Sequence, residues 1–259
     1  ISLWEEDFSA VKTYIDNLKS QGVSDFEAYF DDHPDVVTDC ITRVKVIGVN
    51  NTTVNMFLAA DKDQLLENLD VIFGKESLEI FRQELIVIAQ GGNIFESEGV
   101  NYNLLGEPIY VHVRWSVAAG YEDTLERVLV SLIDITDRVK TEAEIIRQEQ
   151  FFKTLVQSSP VAVVILDLDH KIMDCNLAFE QLFDYSLSEV RGQNIDDLIV
   201  PNEDRSAASS YTQSVENGES IRRIARRKRR DGSLVDVQVF GAPVFVAGEQ
   251  NAILALYDD

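Results

Sequence analysis

The sequence predicts an α+β protein of two similar domains, each a five-stranded antiparallel sheet flanked by short helices, with a helical linker between them. Two observations lead to this prediction. A shift of 126 residues superposes prolines, asparagines and glycines of the first half on those of the second, which indicates an internal repeat. Each half also contains short apolar strands, then helical patterns, then three further strands. The superposed pairs include Pro34 and Pro160, Asn50 and Asn176, and Gly106 and Gly232.

The composition narrows the class of protein. The 259 residues are 45% hydrophobic and carry a formal charge of −22, from 23 Lys and Arg against 45 Asp and Glu. Such a chain can bury a core in each domain but is too acidic for indiscriminate DNA binding. Uninterrupted apolar runs reach six residues, and the first residues lack the basic region of a signal peptide. With only Cys40 and Cys175 available, no disulfide framework forms, so we expect a soluble, cytoplasmic protein.

The elements of the second half follow from apolar alternation and helical spacing. Asn176 begins a helix in which Phe179 and Phe183 recur at helical spacing. A short helical segment follows at 188–190, and a longer helix at 202–216 ends before Gly218. Strands are predicted at 161–166, 172–175, 219–229, 234–244 and 251–257.

The first half is predicted to repeat this order. Its strands are expected at 36–42, 44–49, 95–104, 108–118 and 127–133, and its helices at 51–58 and 75–90. The domains are then bounded at 23–138 and 154–259, with a linker helix at 139–153.

Residues 1–22 are predicted to form a separate amphipathic helix. Their apolar residues recur at spacings of four and three, the pattern of a two-stranded coiled coil, so we expect a homodimer through this helix and the linker helix. The alternative is that the helix packs back onto its own domain. The apolar residues are Trp4, Phe8, Val11, Ile15 and Leu18.

A second helix is predicted to join the domains. It runs over 138–156, with Asp134 as its N-cap and Asp137 three residues later. A continuous helix transmits rotation over tens of ångströms, which a flexible loop cannot do. Its inward residues are expected to be Val139, Ala143, Ile146, Phe152 and Leu155.

Three motifs resemble those of the PAS family, also called the S-box sensor fold. They are an asparagine, an apolar helix and a glycine at 176–192, a basic turn at 229–233, and residues 134–138, which resemble the motif that closes a PAS domain. The resemblance covers nearly the whole chain as a tandem pair, although the first half departs from it at 61–63. It implies a sensor whose signal passes through Asp134, Thr136 and Arg138. Residues 256–259 resemble the start of the same closing motif, so we expect an output domain beyond them.

The resemblance also implies where ligands bind, between the inner face of each sheet and the helices. His112 and Arg114 orient a ligand only if the strand register turns them inward. The alternative is a cavity filled by these same side chains. The residues expected at the first pocket are Phe57, Phe81, Leu85, Tyr102, His112, Arg114 and Trp115. Those expected at the second are Phe179, Phe183, Tyr211, Val237 and Val239.

Motifs for catalysis, phosphate loops and metal binding are missing from the sequence, so we predict no enzyme and no metal site. PAS-like haem sensors usually take their iron ligand from a histidine on the long helix, and neither long helix contains one. Flavin photosensors of the family need a cysteine in the helix that begins at Asn176, and Cys175 precedes it. We therefore predict no cofactor, and leave open an unknown small molecule or a noncovalently bound flavin.

A basic run at 222–230 has seven basic residues in nine. It resembles a nucleic-acid patch, but it lies on a predicted strand in a strongly negative chain, so we favour a solvated strand over nucleic-acid binding. The sequence thus predicts a cytoplasmic regulatory region of a prokaryotic signal-transduction protein, placed before an output domain such as a histidine kinase. The alternative is a ligand-free dimerisation or protein-interaction module before a diguanylate cyclase or another output domain.

Overall fold

The computed structural model describes the backbone of residues 1–259 and all side chains except those of Lys75, Glu76 and Glu216. The chain forms two units, Ile1–Glu144 and Ile145–Asp259. Each unit is built on its own five-stranded antiparallel sheet with flanking helices, which confirms the predicted α+β class. In the described residues, no helix is long and apolar enough to cross a membrane.

Unit 1 is the N-terminal unit. Its strands are β1 Ser2–Asp7, β2 Lys45–Val49, β3 Ile94–Tyr102, β4 Pro108–Val117 and β5 Val128–Asp134, in the sheet order β2-β1-β5-β4-β3. Three helices connect β1 to β2: α1 Ser9–Ser20, α2 Phe26–Asp32 and α3 Pro34–Arg43. Four connect β2 to β3: α4 Asn51–Met56, α5 Lys62–Glu67, α6 Leu69–Ile72 and α7 Lys75–Ala89.

Residues 1–22 do not form one amphipathic helix, so the predicted N-terminal coiled coil is wrong. Ser2, Trp4 and Glu6 are buried on alternate positions of β1, which lies inside the sheet between β2 and β5. Helix α1 starts only at Ser9. All five apolar residues of the predicted coiled coil are buried in unit 1. The segment therefore packs on its own domain, which was the alternative. These residues are Trp4, Phe8, Val11, Ile15 and Leu18.

The predicted strand at 36–42 is also wrong. This segment is α3, with Pro34 at its first turn, where a missing N–H costs nothing. Val36, Val37 and Cys40 lie on one helical face that packs in the same cluster as α7. The superposition of Pro34 on Pro160 is therefore not structural, because Pro160 lies in the bend before a strand.

Unit 2 has the same sheet order with simpler connections. Its strands are β6 Ala162–Leu166, β7 Ile172–Cys175, β8 Ile221–Lys228, β9 Leu234–Val246 and β10 Glu249–Asp258, in the order β7-β6-β10-β9-β8. After the connecting helix α8 Thr136–Ser158, its helices are α9 Leu177–Phe183, α10 Leu187–Val190, α11 Ile195–Ile199 and α12 Arg205–Glu216. A 3-10 turn at Asn202–Asp204 precedes α12, and α11 is absent from the sequence prediction.

Two asparagines hold the same place in the two units. Asn50 follows β2 and its side-chain oxygen accepts from the N–H of Thr53 at 2.9 Å. Asn176 follows β7 and its oxygen accepts from the N–H of Phe179 at 3.0 Å. Each therefore caps the first helix after the second strand. Asn176 is fully buried and also accepts from Val163 N at 2.8 Å, which joins α9 to β6.

Helix α8 differs from its prediction in burial. No described residue of this helix is buried, because neither sheet covers it. The residues expected to face inward are instead half-buried or exposed: Val139, Ala143, Ile146, Phe152 and Leu155.

Candidate sensory cores and connecting helix

The interior of unit 1 contains two apolar clusters. Phe57 lies in one, beside the Trp4 ring at 5.9 Å between centroids. Leu85 and Trp115 lie in the other, and Phe81 packs against it. The ring of Phe8 is 5.7 Å from Trp115 and 6.4 Å from Phe81. The structure therefore brings Phe81, Leu85 and Trp115 together and leaves Phe57 in a separate cluster.

Three residues expected at the first pocket lie on the outer face of the sheet. Along β4 the buried positions are odd-numbered, so His112 and Arg114 point away from the core. Arg114 forms an exposed ion pair with Glu96 at 3.3 Å. Tyr102 alternates with the buried Asn101 and is half-buried. The expectation that these three side chains line the pocket is wrong, because the strand register turns them outward.

A pair of buried carboxyl groups lies inside unit 1. Glu6 on β1 is 9% exposed and Glu84 on α7 is 7% exposed. Burial raises the pKa of Glu6 to about 7. Burial, and then the charge of Glu6, raises the pKa of Glu84 well above its usual range. Both groups therefore stay protonated at pH values at which an exposed carboxyl is ionised.

Two arginines of unit 1 are paired with other carboxylates. Arg82 on α7 pairs with Asp31 at 2.6 Å, and Arg127 pairs with Glu5 at 2.7 Å. Glu84 Oε1 and the Trp115 indole nitrogen are buried without a hydrogen-bond partner, as is Arg82 Nε.

The sequence analysis did not predict that Glu6 and Glu84 are buried, because charged residues usually face solvent. Their positions do indicate it: Glu6 alternates with Ser2 and Trp4 on one face of β1, and Glu84 lies beside Leu85 one turn after Phe81.

Unit 2 buries in its core four of the five residues expected at its pocket. Phe179, Phe183, Val237 and Val239 are buried in one cluster. Phe183 meets Tyr257 edge to face at 5.3 Å. The fifth predicted residue, Tyr211, is half-buried on α12 and lines a cavity of about 270 Å³ against β8.

One member of the basic run is buried beside this cavity. Arg227 on β8 is 4% exposed and pairs in register with Val235, so it shares the inner face of the sheet. Its guanidinium carbon lies 6.0 Å from the Tyr257 ring centroid, and burial raises the pKa of that tyrosine to about 12. The Nη1 atom of Arg227 donates to the carbonyl of Arg226 at 2.9 Å, and its Nε has no partner.

Other members of the run lie at the surface and pair locally. Arg226 contacts Asp204 at 3.4 Å, and Arg230 contacts Glu189 at 2.9 Å. Arg226 and Arg230 are thus exposed to solvent, as the sequence predicted for the basic run. Arg227 is buried, which the sequence did not indicate.

The start of α8 is fastened to the sheet of unit 1. The Asp134 carboxylate accepts from the N–H of Thr136 at 2.8 Å. The Thr136 hydroxyl oxygen accepts from the N–H of Tyr110 on β4 at 3.0 Å. Arg138 pairs with Glu98 on β3 at 2.7 Å. The three residues predicted for signal relay are therefore all engaged at this helix start.

The end of α8 is fastened to unit 2. The Gln157 amide nitrogen donates to the carbonyl of Cys175 at 3.1 Å, and its oxygen accepts from Leu177 N at 3.2 Å. Asn176 donates to the carbonyl of Val156 at 3.0 Å. The helix thus ends on the same asparagine that caps α9.

The residues present do not fit a histidine-bound haem or a cysteine-linked flavin. Helices α7 and α12 contain no histidine, and α9 contains no cysteine. Cys175 precedes α9, and burial raises the pKa of its thiol to about 12. The ring of His33 stacks on Tyr29 at 4.4 Å. Among the described residues, no group of three histidine, cysteine or acidic side chains is placed to hold a metal ion.

Most of unit 2 is similar to a known family. Residues 150–258 match the family model of the PAS fold. Unit 1 has the same strand order around its own sheet.

Particular relatives are sensors or PAS domains. The chain is 30% identical over 125 residues to the sensor protein FixL of Bradyrhizobium diazoefficiens, a match covering 44% of this chain and 25% of that protein. The match therefore spans about a quarter of that relative's length.

Solved structures are also similar. A PAS domain from Colwellia psychrerythraea is 24% identical, with 44% of this chain and 96% of that one covered and a TM-score of 0.40. The PAS domain of an HTR-like protein from Haloarcula marismortui is 27% identical, with coverages of 46% and 98% and a TM-score of 0.39.

Proposed function

We propose that the chain is a sensory and regulatory tandem PAS region that passes a signal through α8 to an output domain of the same protein. The observation that carries the proposal is the attachment of α8 at both ends. Thr136 ties its start to β4, and Gln157 ties its end to β7 and α9. A displacement of either sheet edge therefore acts on one helix, which is stiff along its length.

The output domain is proposed to be a histidine kinase, with a diguanylate cyclase or another output as the alternative. The similarity of the chain to a sensor protein supports a signalling role. The absence of catalytic motifs from the sequence agrees with a regulatory part rather than an enzyme, and we propose a cytoplasmic location.

We further propose that the region dimerises through α8 rather than through residues 1–22. The apolar residues of the N-terminal segment are buried in the core of unit 1. Those of α8 remain in solvent, where a second copy of the helix would cover them. They are Ile145, Ile146, Phe151, Phe152 and Leu155.

The relay is tested by changing the phase of α8 in the full-length protein. Deleting Ile145 rotates everything after it by about 100° about the helix axis. Deleting a heptad that includes Ile145 shortens the helix more but rotates it by only about 20°. Regulated output activity should be lost or inverted in the first variant and retained in the second. Equal regulation in both variants and the parent would refute the relay.

The dimer is tested by sedimentation equilibrium of the chain. Phe152→Asp places a charge among the exposed apolar residues and should shift the chain to monomer. Lys153→Asp, at the neighbouring exposed position, is the matched control and should leave the dimer intact. A dimer that survives Phe152→Asp unchanged would place the interface elsewhere.

A further inference from the structure

We infer that the open edge of β8 binds an acidic peptide segment of a partner protein, which adds to the sheet of unit 2 as a further strand. Strand β8 is the last strand of its sheet, and β9 pairs with it on one side. Within the described chain, no strand pairs with β8 on its other side. Such an edge presents unpaired main-chain N–H and C=O groups, to which an extended peptide can bond.

The register shows which main-chain groups are free at this edge. The N–H of Arg229 donates to the carbonyl of Ser233 at 2.9 Å. Hydrogen-bonded pairs alternate with non-bonded pairs in an antiparallel ladder, and the register between β8 and β9 continues without a shift. Alternate residues of β8 therefore direct their N–H and C=O groups to the open edge. They are Arg222, Ile224, Arg226 and Lys228.

Two side-chain contacts agree with this register. The carbonyl of Arg222 accepts from Nη1 of Arg223 at 2.8 Å, and the carbonyl of Arg226 accepts from Nη1 of Arg227 at 2.9 Å. Both carbonyls belong to the alternate residues that face the edge. Each carbonyl oxygen has two lone pairs, so it can accept a second hydrogen bond from an incoming strand.

The side chains at this edge form a basic surface with an apolar centre. Because side chains alternate along a strand, those of Arg222, Ile224 and Arg226 lie on the face opposite to the buried Arg227. Ile224 is 76% exposed between the two exposed arginines. The run at 222–230 holds seven of the 23 Lys and Arg residues of a chain with a formal charge of −22. A matching strand therefore carries acidic residues on either side of an apolar residue, on one face.

Arg222 and Arg223 are available to such a strand. Arg222 contacts the side chain of Gln238 at 2.9 Å, and Arg223 contacts only the carbonyl of Arg222. Among the described side chains, neither arginine forms an ion pair with a carboxylate. Opposite charges across a strand pair stabilise it, and like charges destabilise it. Pairing with β8 of a second copy would place arginines opposite one another, so this edge favours an acidic strand.

The main-chain groups favour a peptide over a nucleic acid. A peptide strand supplies N–H donors for the free carbonyls and C=O acceptors for the free N–H groups. A phosphate backbone has no donor for those carbonyls and would leave Ile224 in water. The exposed arginines already bind carboxylates where these are in reach: Arg226 contacts Asp204 at 3.4 Å, and Arg230 contacts Glu189 at 2.9 Å.

Fluorescence anisotropy of a labelled peptide with the whole chain tests the inference. The probe is the capped peptide Glu-Thr-Glu-Thr-Val-Thr-Glu. In an antiparallel pairing its valine lies opposite Ile224, and its glutamates lie opposite Arg222, Arg226 and Lys228. The control peptide, Glu-Glu-Glu-Thr-Thr-Val-Thr, has the same composition and charge without the alternation. The probe should bind at least about tenfold more tightly than the control peptide.

Three results of this titration would overturn the inference. Equal binding of the two peptides would make the edge a basic patch without strand recognition. Tighter binding of a single-stranded DNA heptamer than of the probe would make it a nucleic-acid site. Absence of saturable binding of the probe would leave the edge without the proposed ligand.

Two variants and one control locate the peptide on β8. Ile224→Pro removes one N–H from the open edge and none from the ladder with β9, and should weaken probe binding by at least about tenfold. Arg222→Gln should weaken it by about threefold to tenfold. Arg230→Gln is the matched control, because it removes the same charge from the run but lies beyond the end of β8, and it should bind the probe as the parent does.

Circular dichroism melts verify that each variant folds. Equal affinities of folded Arg222→Gln and Arg230→Gln proteins for the probe would refute strand addition at this edge. Sedimentation equilibrium separates a partner peptide from a second copy of the chain. Dissociation of a dimer by Arg222→Gln, with unchanged probe affinity, would make the edge a contact between copies and overturn the inference.

Peptide binding and the relay through α8 fail independently, because the titration contains no output domain. Phase-dependent output in the α8 variants without probe binding would retain the relay and refute the peptide site. Probe binding that follows the order of the β8 variants, without phase-dependent output, would retain the site and refute the relay.

Discussion

Replacing Glu6 by Gln should make unit 1 more stable at neutral and alkaline pH and leave its stability unchanged near pH 4. Glu6 is buried on β1, and its pKa is raised from 4.5 to about 7 by burial. Between pH 4.5 and about pH 7, the folded unit therefore keeps a proton on Glu6 that the unfolded chain has released. Glutamine has nearly the same shape and no proton to lose.

The magnitude follows from linkage. For a carboxyl whose pKa is raised on folding, the favourable contribution is complete below the unfolded pKa of 4.5 and is lost as pH rises through the folded pKa of about 7. One pKa unit corresponds to about 1.4 kcal/mol, so the loss approaches about 3 kcal/mol above pH 7. Glu84 adds to the effect in the same direction, because burial and then the charge of Glu6 raise its pKa.

Tryptophan fluorescence gives a selective assay. The chain contains two tryptophans, Trp4 and Trp115, and both lie in unit 1, so the signal follows this unit alone. Urea unfolding at pH 5 and pH 8 should show that the parent loses about 2.5 kcal/mol more than Glu6→Gln across this interval, because part of the loss has already occurred at pH 5. Glu5→Gln is the matched control, because Glu5 points outward to Arg127 and lies one residue away. If Glu6→Gln and the parent lose stability equally between the two pH values, the reasoning is refuted.

Three further predictions concern single contacts. Asn176→Ala removes a buried side chain that joins α8, β6 and α9, and should destabilise unit 2 by about 3 kcal/mol in a calorimetric melt. Thr136→Val leaves the N–H of Tyr110 without its acceptor, and should reduce regulation of the full-length output while changing the melting temperature little. Gly99→Ala places a Cβ against the Ile80 side chain, and should destabilise unit 1 by about 1–3 kcal/mol in the tryptophan assay.

The sequence predicted unit 2 more closely than unit 1, and the reason is the length of the connections. β6 and β7 are joined by a short turn, so alternation, turn and helix cap appear together in one stretch. β1 is separated from its partner β2 by three helices. Nothing local therefore indicates pairing, and the spacing of four between Trp4 and Phe8 continues the helical pattern of α1.

The candidate sites show a second limit. Phe179, Phe183 and Val237, which were expected at the second pocket, lie in the core of unit 2, because burial follows hydrophobicity. Glu6, Glu84 and Arg227 were missed, because residues of their type are rarely buried without a partner. Only the strand register shows that Arg227 shares the face of Val235, while Arg226 points to solvent.

The two units thus share a strand order but differ in what their interiors hold. Unit 1 buries an acidic pair, and unit 2 buries an arginine beside a cavity. Neither arrangement is explained by stability, since apolar residues of similar volume at these positions would avoid the cost of burying charge. Helix α8 is hydrogen-bonded to β4 near its start and to β7 near its end. Under the proposed relay, a change in either interior would therefore act on the same helix through different chemistry.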